Sequence, residues 1–582
     1  MPTLNWIGKK EIKHHFNNIE YRVLDCKETI GECDNGNLLI KGDNLLALKA
    51  LLPYYAGKVK AIYIDPPYNT GSTSWVYNDA VDSPIIKKWL KKTVDKEDLS
   101  RSDKWLCMIY PRIKLLHKFL KEEGVIFVSI DDAEVASLRL IMDDIFGKQN
   151  FISIIQWKRS ESQNNNAKHV SKVGEFILCY SKGDKQKIDF NAIDLNQKAL
   201  KEYRYEDEQG RFRRGTIVDK TRGKNIYKVV APTGVEVELL SIRTKEWFEE
   251  MDSKGLIYWT KTNTPYGKIY LENNEGQKSS NWFDNAGFNE DATEELNNIG
   301  IHFPFSKPYS LIQRLIKLVT NPEDNDIILD SFAGSGTTAQ AVLEQNKTDN
   351  GNRKFILIQM EEEIPEDSPA KEMGFNYVHE ITKTRVKKVI EGYEYKGNVR
   401  KQLIEPLKLT PKKILDPKFM ANIHSEVNKL IEINKDRFDK IDPQFKDNSL
   451  FVSGIKKVTQ KVEGLGSGFQ YCELSEPLLD EFGLLSECVT HEMLAKHIYF
   501  TEFGVALSQN SYIKDCNYIG KFDNKELHIY LDKNFNIQEL QKIVKEEVEE
   551  YIIYADTWSI SNELLKQFNI TIKKIPTEIK GA

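Results

Sequence analysis

The chain has 582 residues, 40% hydrophobic and 29% charged. This is the composition of a soluble globular protein, long enough for three or four units at roughly 150 residues each, and it excludes a disordered chain. With 82 Lys and Arg against 87 Asp and Glu the net charge is −5, which excludes a uniformly basic nucleic-acid binder but leaves room for a local basic patch.

The apolar runs are far shorter than the ~20 residues of a membrane span. The first residues, MPTLNWIGKKEIKHH, lack the apolar core of a secretory signal. Seven scattered cysteines form no C-x-x-C pair. Cys26 and Cys33 have no partner set, and the thiols are expected to be reduced in a cytoplasmic protein.

In chain order, NLLIK predicts a short strand, followed by Gly42-Asp43-Asn44 and a helix-like LLALKALL. VKAIYI predicts a buried strand ending at Asp65. A helix is expected over about 103–121, then the strand GVIFVSI running into Asp131 and Asp132. A helix over about 133–146 and the strands NFISIIQW and EFILCYS follow. Short apolar runs separated by helices, with polar residues at their carboxyl ends, predict an α/β domain with a mostly parallel sheet.

From about Lys158 to Ile299 the sequence is polar, rich in Asn, Lys and Tyr, with no sustained period. The α/β pattern then resumes with DIILD, the Gly-rich SFAGSGTT, a helix AQAVLEQN and a strand KFILIQM. One α/β domain is therefore expected in two parts, 1–157 and 300–399, around an inserted region 158–299. A separate C-terminal domain of mixed strand and helix is expected over 400–582.

Two motifs carry chemistry. DPPYNTGS, Asp65 to Ser72, closes a buried strand. Pro66 and Pro67 restrict the backbone and supply no N–H. That suits a planar substrate bearing an amino group. The Asp65 carboxylate and the Pro66 carbonyl accept its two N–H groups, and Tyr68 stacks on its face. Alone, the same residues also fit a tight strand-to-loop turn. In the second motif, Asp330 to Thr338, Gly334 and Gly336 permit a tight turn and close approach to a ligand at a helix N-terminus. A Walker A loop needs Lys after the last Gly; here Thr337 follows Gly336, so an NTP site is not expected.

D-P-P-Y together with F-x-G-x-G, each after an apolar strand, resembles the S-adenosylmethionine-dependent amino-methyltransferases of DNA. With the catalytic motif first, the order resembles the β class of adenine-N6 enzymes. GDNLLALKALLPYYAGKVKAIYIDPPYNTGS, SIDDAEVASLRLIMDDIFG and LDSFAGSGTTAQAVLEQN are similar to the modification (Mod) subunits of Type III restriction–modification systems, over about residues 36–182 and 300–362. The resemblance implies a Rossmann-like methyltransferase sheet and S-adenosyl-L-methionine as cofactor, with methyl transfer to N6 of a flipped-out adenine in duplex DNA. It also implies a homodimer and an ATP-dependent restriction (Res) subunit as partner.

The resemblance also implies site residues. Phe332, Gly334 and Gly336, with Asp330 and Thr337 in the same turn, hold the cofactor's methionine part. Lys307 and Ser310 in PFSKPYSLIQRLI grip its carboxylate, although a surface lysine before a helix would read the same. Asp43, with Asn44, reaches the adenine, while Asp43 is also a good N-cap. Many relatives end the next strand in Glu for the ribose; here Gln359 stands in that place with Glu361 two residues on, so the ribose ligand stays open.

Asp131 and Asp132 are read as structural or pocket-lining rather than metal-binding, because the chemistry the resemblance implies needs no metal. His491 and His497 flank Ala495 where a zinc-protease helix needs its second His, so no metal is expected.

The inserted region carries Arg211, Arg213, Arg214, Lys220, Arg222, Lys224 and Lys228 against Asp219. Such a strip neutralises phosphates or reads guanine edges, or is a solvated loop. By its placement the region matches target recognition in β-class relatives. Lys158, Arg159, Lys168 and His169 are expected at the DNA backbone. The C-terminal domain is assigned to dimerisation or partner binding. Two alternatives stay open: a stand-alone methyltransferase without a nuclease partner, and a non-catalytic DNA-specificity subunit.

Overall fold

The computed structural model describes residues 4–13, 19, 22–32, 36–69, 100–163, 167–446, 448–479, 484–487, 489–503, 507, 513, 516–545 and 548–575. Cys33 and the end of the first motif, Thr70 to Ser72, lie outside the described residues. Two compact units result: residues 1–189 with 281–582, and residues 190–280.

The first unit begins with strands β1 (Arg22–Gly31), β2 (Leu38–Lys41), β3 (Val59–Ile64), β4 (Leu120–Ile130), β5 (Phe151–Lys158) and β6 (Gly174–Ser181). The second unit holds β7 (Tyr205–Asp207), β8 (Gly210–Thr216), β9 (Asn225–Val230), β10 (Glu236–Ser241), β11 (Ile257–Trp259) and β12 (Pro265–Tyr270). The first unit resumes with β13 (Trp282–Phe283), β14 (Ile327–Asp330), β15 (Lys354–Gln359), β16 (Gly392–Gln402), β17 (Leu407–Lys408), β18 (Lys440–Lys446), β19 (Ser449–Glu463) and β20 (Gly468–Pro477). It ends with β21 (Tyr518–Phe522), β22 (Lys525–Phe535), β23 (Glu550–Trp558) and β24 (Ile570–Lys574).

Ten strands form the main sheet in the order β1-β20-β2-β15-β14-β3-β4-β6-β5-β13. From β20 through β4 every pairing is parallel. The carboxyl ends of β2, β15, β14, β3 and β4 therefore share one edge, where an open α/β sheet binds its ligands. Helices Asn44–Tyr55, Arg101–Phe119 and Val135–Phe146 bury Leu45, Leu48, Leu51, Trp105, Leu115, Leu116, Leu138 and Met142 in the same core as Ile62, Ile64, Ile126, Val128 and Leu329. Those apolar strands are covered by helices, as parallel sheets require. Among the described residues no helix is long and apolar enough to cross a membrane.

Three expectations change. The separate unit is 190–280 rather than 158–299, because β6 pairs with both β4 and β5 inside the main sheet. The C-terminal region is not independent of that sheet: β20 inserts between β1 and β2. The cysteines are not all free: Cys26 and Cys472 oppose each other across β1 and β20 and form a disulfide with an S–S distance of 2.14 Å. The two are 446 positions apart, so no spacing rule could pair them.

The second unit builds a four-stranded sheet, β11-β12-β8-β7, and a β9-β10 hairpin over a core of Ile217, Tyr227, Leu239, Phe248 and Ile257. In the remaining C-terminal chain, β16, β17 and β18 pair with β19, and β21-β22-β23-β24 form a further sheet.

Candidate active site

β3 delivers Asp65 to the carboxyl edge, and the parallel neighbour β14 delivers Asp330 beside it, with Leu329 in register with Ile62. The two motifs thus meet although Asp65 and Asp330 are 265 positions apart. Tyr68 and Phe332 both pack, partly buried, on the core under this edge.

Asp65 has both oxygens engaged. Oδ1 accepts the Tyr68 hydroxyl at 2.6 Å, and Oδ2 accepts the Lys307 ammonium at 2.8 Å. Glu175, at the start of β6, shares both donors: Tyr68 Oη lies 3.0 Å and Lys307 Nζ 3.5 Å from its Oε2. Arg159 Nη1 donates to Glu175 Oε1 at 3.0 Å. Two carboxylates and two cations therefore balance in a cluster whose inner members, Glu175 and Lys307, are buried while Asp65 and Arg159 reach the surface, the condition under which buried charge is tolerated. Burial pulls the Lys307 ammonium down, but Asp65 and Glu175 outweigh it and hold it above the ordinary lysine range. Burial, then the charges of Asp65 and Glu175, push the Tyr68 phenol well above its usual value, so it remains a donor.

The turn after Asp65 is braced from helix Arg101–Phe119. Trp105 Nε1 donates to the Pro67 carbonyl at 2.6 Å. Asn69, at φ +59°, donates to Glu134 Oε1 at 2.6 Å, and Ser102 donates to the same oxygen at 2.6 Å. Pro66 is buried and Pro67 exposed.

The second motif is a tight turn into helix Thr337–Asp349. Gly334 and Gly336 adopt φ +52° and +85°, which side-chain-bearing residues rarely do. A Cβ on Gly336 would lie 3.1 Å from Val386 and 3.2 Å from Thr382. Gln359 Oε1 accepts the Gly334 N–H at 2.7 Å, and Asn44 Nδ2 donates to the Ser331 carbonyl at 2.9 Å. Arg385, fully buried, donates to Ser335 Oγ at 2.8 Å, Thr337 Oγ1 at 2.7 Å and Gln340 Oε1 at 3.0 Å. The turn leads into a helix N-terminus, whose dipole favours a carboxylate such as that of the amino-acid end of S-adenosylmethionine.

Asp43 caps helix Asn44–Tyr55, accepting the Leu45 and Leu46 N–H groups at 2.8 and 3.3 Å, and pairs with Arg112 at 3.4 Å. Glu361 pairs with Lys41 at 3.2 Å and is half exposed. Ser310 donates to the Ala286 carbonyl at 3.0 Å. Lys307 lies on Asp65, while its neighbour Ser306 reaches Ser335 Oγ at 2.8 Å, so this segment spans both motifs. Asp131 accepts the Ala133 N–H at 2.9 Å, and Asp132 pairs with Lys172 at 2.8 Å.

The basic residues divide. Lys158 lies 5.4 Å from the Phe288 ring, Arg159 is committed to Glu175, and Lys168 is exposed. In the second unit Arg211 donates to the Tyr203 carbonyl at 2.8 Å and Arg213 to the Tyr203 hydroxyl at 3.3 Å. Arg214 stacks on Tyr266 and Tyr205, 4.7 and 4.9 Å from their centroids. Arg222 pairs with Asp219 at 2.7 Å yet is exposed, as are Lys220 and Lys224.

Sequence reasoning missed Glu175, Trp105, Arg112 and Arg385. Glu175 leaves one trace, an acid opening the otherwise apolar strand EFILCYS.

Asp330 is buried at the foot of the Gly-rich turn, accepting the Phe332 N–H at 2.9 Å and the Thr338 hydroxyl at 2.6 Å. Burial pushes its carboxyl up to about 7 against these two bonds. A raised carboxyl favours folding below its unfolded value and loses that contribution as pH rises to about 7. Asp330→Asn keeps an acceptor for Phe332 and cannot ionise. Its melting temperature relative to the parent chain should therefore climb between pH 4.5 and pH 8; a constant difference across that range contradicts the assignment.

Residues 59–369 match the family model described as DNA methylase. The chain is 34% identical to the Type III restriction–modification enzyme StyLTI Mod subunit of Salmonella typhimurium, covering 62% of this chain and 58% of that protein. It is 31% identical to the EcoPI Mod subunit of Escherichia phage P1, covering 67% and 68%. It is 29% identical to the Type II methyltransferase M.KpnI of Klebsiella pneumoniae, covering 65% and 93%. The chain thus spans little more than half the length of the first relative. On the matched residues and the two motifs they enclose, the chain belongs to the DNA methylase family.

Proposed function

We propose that the chain is a DNA methyltransferase that transfers a methyl group from S-adenosylmethionine to N6 of an adenine turned out of duplex DNA. The observation that carries this is the juxtaposition of Asp65-Pro66-Pro67-Tyr68 with the Phe332–Gly336 turn on adjacent parallel strands.

The exocyclic amine of adenine is a poor nucleophile, because its lone pair is delocalised into the ring. Accepting its N–H groups at the Asp65 carboxylate and the Pro66 carbonyl localises that pair on nitrogen. The cofactor supplies a methyl group already activated on a sulfonium. What remains for the protein is alignment and electrostatic fit to the transition state. Turning the base out of the helix costs a few kcal/mol, and a stack on the Tyr68 ring returns ~1–3 kcal/mol.

The Asp at the first motif position favours adenine over cytosine N4. Incubating the chain with labelled S-adenosylmethionine and duplex DNA, then hydrolysing the product, should release labelled N6-methyladenine. N4-methylcytosine overturns the choice of base, and an unlabelled digest overturns the activity.

We assign target recognition to the second unit, with exposed Lys220, Arg222 and Lys224 toward phosphates. Similarity to the StyLTI and EcoPI Mod subunits supports membership of a Type III system, with a homodimer and an ATP-dependent restriction partner. Coverage of 93% of M.KpnI favours, as the second reading, a methyltransferase working without that partner. Co-purification from the host separates the two.

A further inference from the structure

Glu175 is 5% exposed, in a strand whose next residues are apolar. Because β6 runs antiparallel to β4, it starts where β3 and β4 end: Phe176 is in register with Ile130. Its first side chains therefore belong to the catalytic edge. A carboxylate so buried requires paired donors, and Arg159 at 3.0 Å with Lys307 at 3.5 Å supplies them. The contact with Tyr68 is additional. One phenol proton lies between two carboxylate oxygens, 2.6 Å from Asp65 Oδ1 and 3.0 Å from Glu175 Oε2.

We propose that Glu175 is a positioning residue for methyl transfer, the second acceptor toward which the Tyr68 hydroxyl turns when Asp65 takes up the proton released by the methylated amine. This rests on the adenine-N6 reading above. Before transfer, Tyr68 donates to Asp65. A nitrogen that gains a methyl group must lose one proton to stay neutral. Its N–H bond breaks, the electron pair remains on nitrogen, and an O–H bond forms on Asp65. That new O–H then donates to the Tyr68 oxygen. The phenol must send its own proton elsewhere, and Glu175 Oε2 is the acceptor in reach. No net proton passes to Glu175; the hydrogen bonds reverse direction.

Glu175→Gln tests this cleanly. Arg159 can only donate, so the amide oxygen of the new side chain turns to Arg159. Its NH2 group then faces Tyr68 and, 3.5 Å away, Lys307, and can accept from neither; the double variant with Y68F separates the Tyr68 contact from the Lys307 one. Single-turnover methylation of duplex DNA is compared for the parent chain, E175Q, Y68F and the double variant, alongside S-adenosylmethionine affinity and thermal melting. E175Q should slow the methyl-transfer step by about 10- to 100-fold, the range of one lost hydrogen bond to a charged group, with cofactor affinity unchanged. The double variant should be no slower than the slower single one, because both remove the same bond.

Parent-like rates in E175Q, or multiplied effects in the double variant, overturn the proposal alone. If E175Q melts early, Glu175→Asp keeps the charge beside Arg159 but falls a methylene short of Tyr68. It should slow the step likewise, and a parent-like rate there also overturns the proposal. A parent chain that methylates no nucleoside overturns the N6 reading itself, and this inference with it.

Discussion

Asp65→Ala should lower methyl transfer by ~10³-fold or more, the combined scale of a lost acid–base group and a lost charge-assisted contact. S-adenosylmethionine affinity, read by titration calorimetry, should survive. The separation follows from what holds each motif. Asp65 is tied to Tyr68 and Lys307. The Gly-rich turn is tied to Gln359, Asn44 and Arg385, and none of those bonds runs through Asp65. The variant also leaves Lys307 with Glu175, at 3.5 Å, as its carboxylate partner, so some loss of melting temperature is expected from a buried cation short of one anion. Asp65→Asn keeps the shape and isolates the charge. Cofactor affinity lost from a folded Asp65→Ala variant would move Asp65 from the acceptor base to the cofactor.

The motifs were legible because each follows an apolar run long enough to be a strand, and strands of a parallel sheet release their functional residues at one edge. The α/β class and the meeting of Asp65 with Phe332 follow from that. What lay beyond reach depends on pairings between distant segments. GFQYCELSEP is an ordinary half-buried strand by pattern, and nothing local says that it enters the main sheet beside NLLIK. EFILCYS was readable as a strand, but its direction was not. Only its antiparallel run along β4 brings Glu175 to Asp65. The resemblance put Lys307 on the cofactor's carboxylate, whereas it sits on Asp65 and Glu175, partners that only the meeting of distant strands supplies. The basic strip was visible as charge, but the stacking of Arg214 on Tyr205 and Tyr266 shows part of it spent inside the second unit.

Arg385 left a trace that can be recovered from helix Val378–Glu391. Val378, Ile381, Thr382, Arg385, Val386 and Val389 form its buried stripe, and an arginine at such a position must be satisfied by several acceptors. It is: Ser335, Thr337 and Gln340 accept from it, and Glu295 lies 3.5 Å away. Burial lowers its guanidinium to about 10, so it stays charged at neutral pH. Arg385→Met should therefore cost about 3–5 kcal/mol, as removal of one partner from a buried polar cluster does. It should also weaken S-adenosylmethionine binding, since Ser335 and Thr337 lose the donor that fixes the turn. Burial already pushes the Glu295 carboxyl up to about 7, with Arg385 opposing that rise. Without the arginine the carboxyl is pushed higher still. A raised carboxyl gives stability that is lost as pH climbs through its folded value, so the variant keeps losing stability at pH values where the parent chain has stopped. The gap in melting temperature between parent and variant should be wider at pH 8.5 than at pH 5.5. A gap that narrows toward alkaline pH would show that Arg385 does not hold the Glu295 charge.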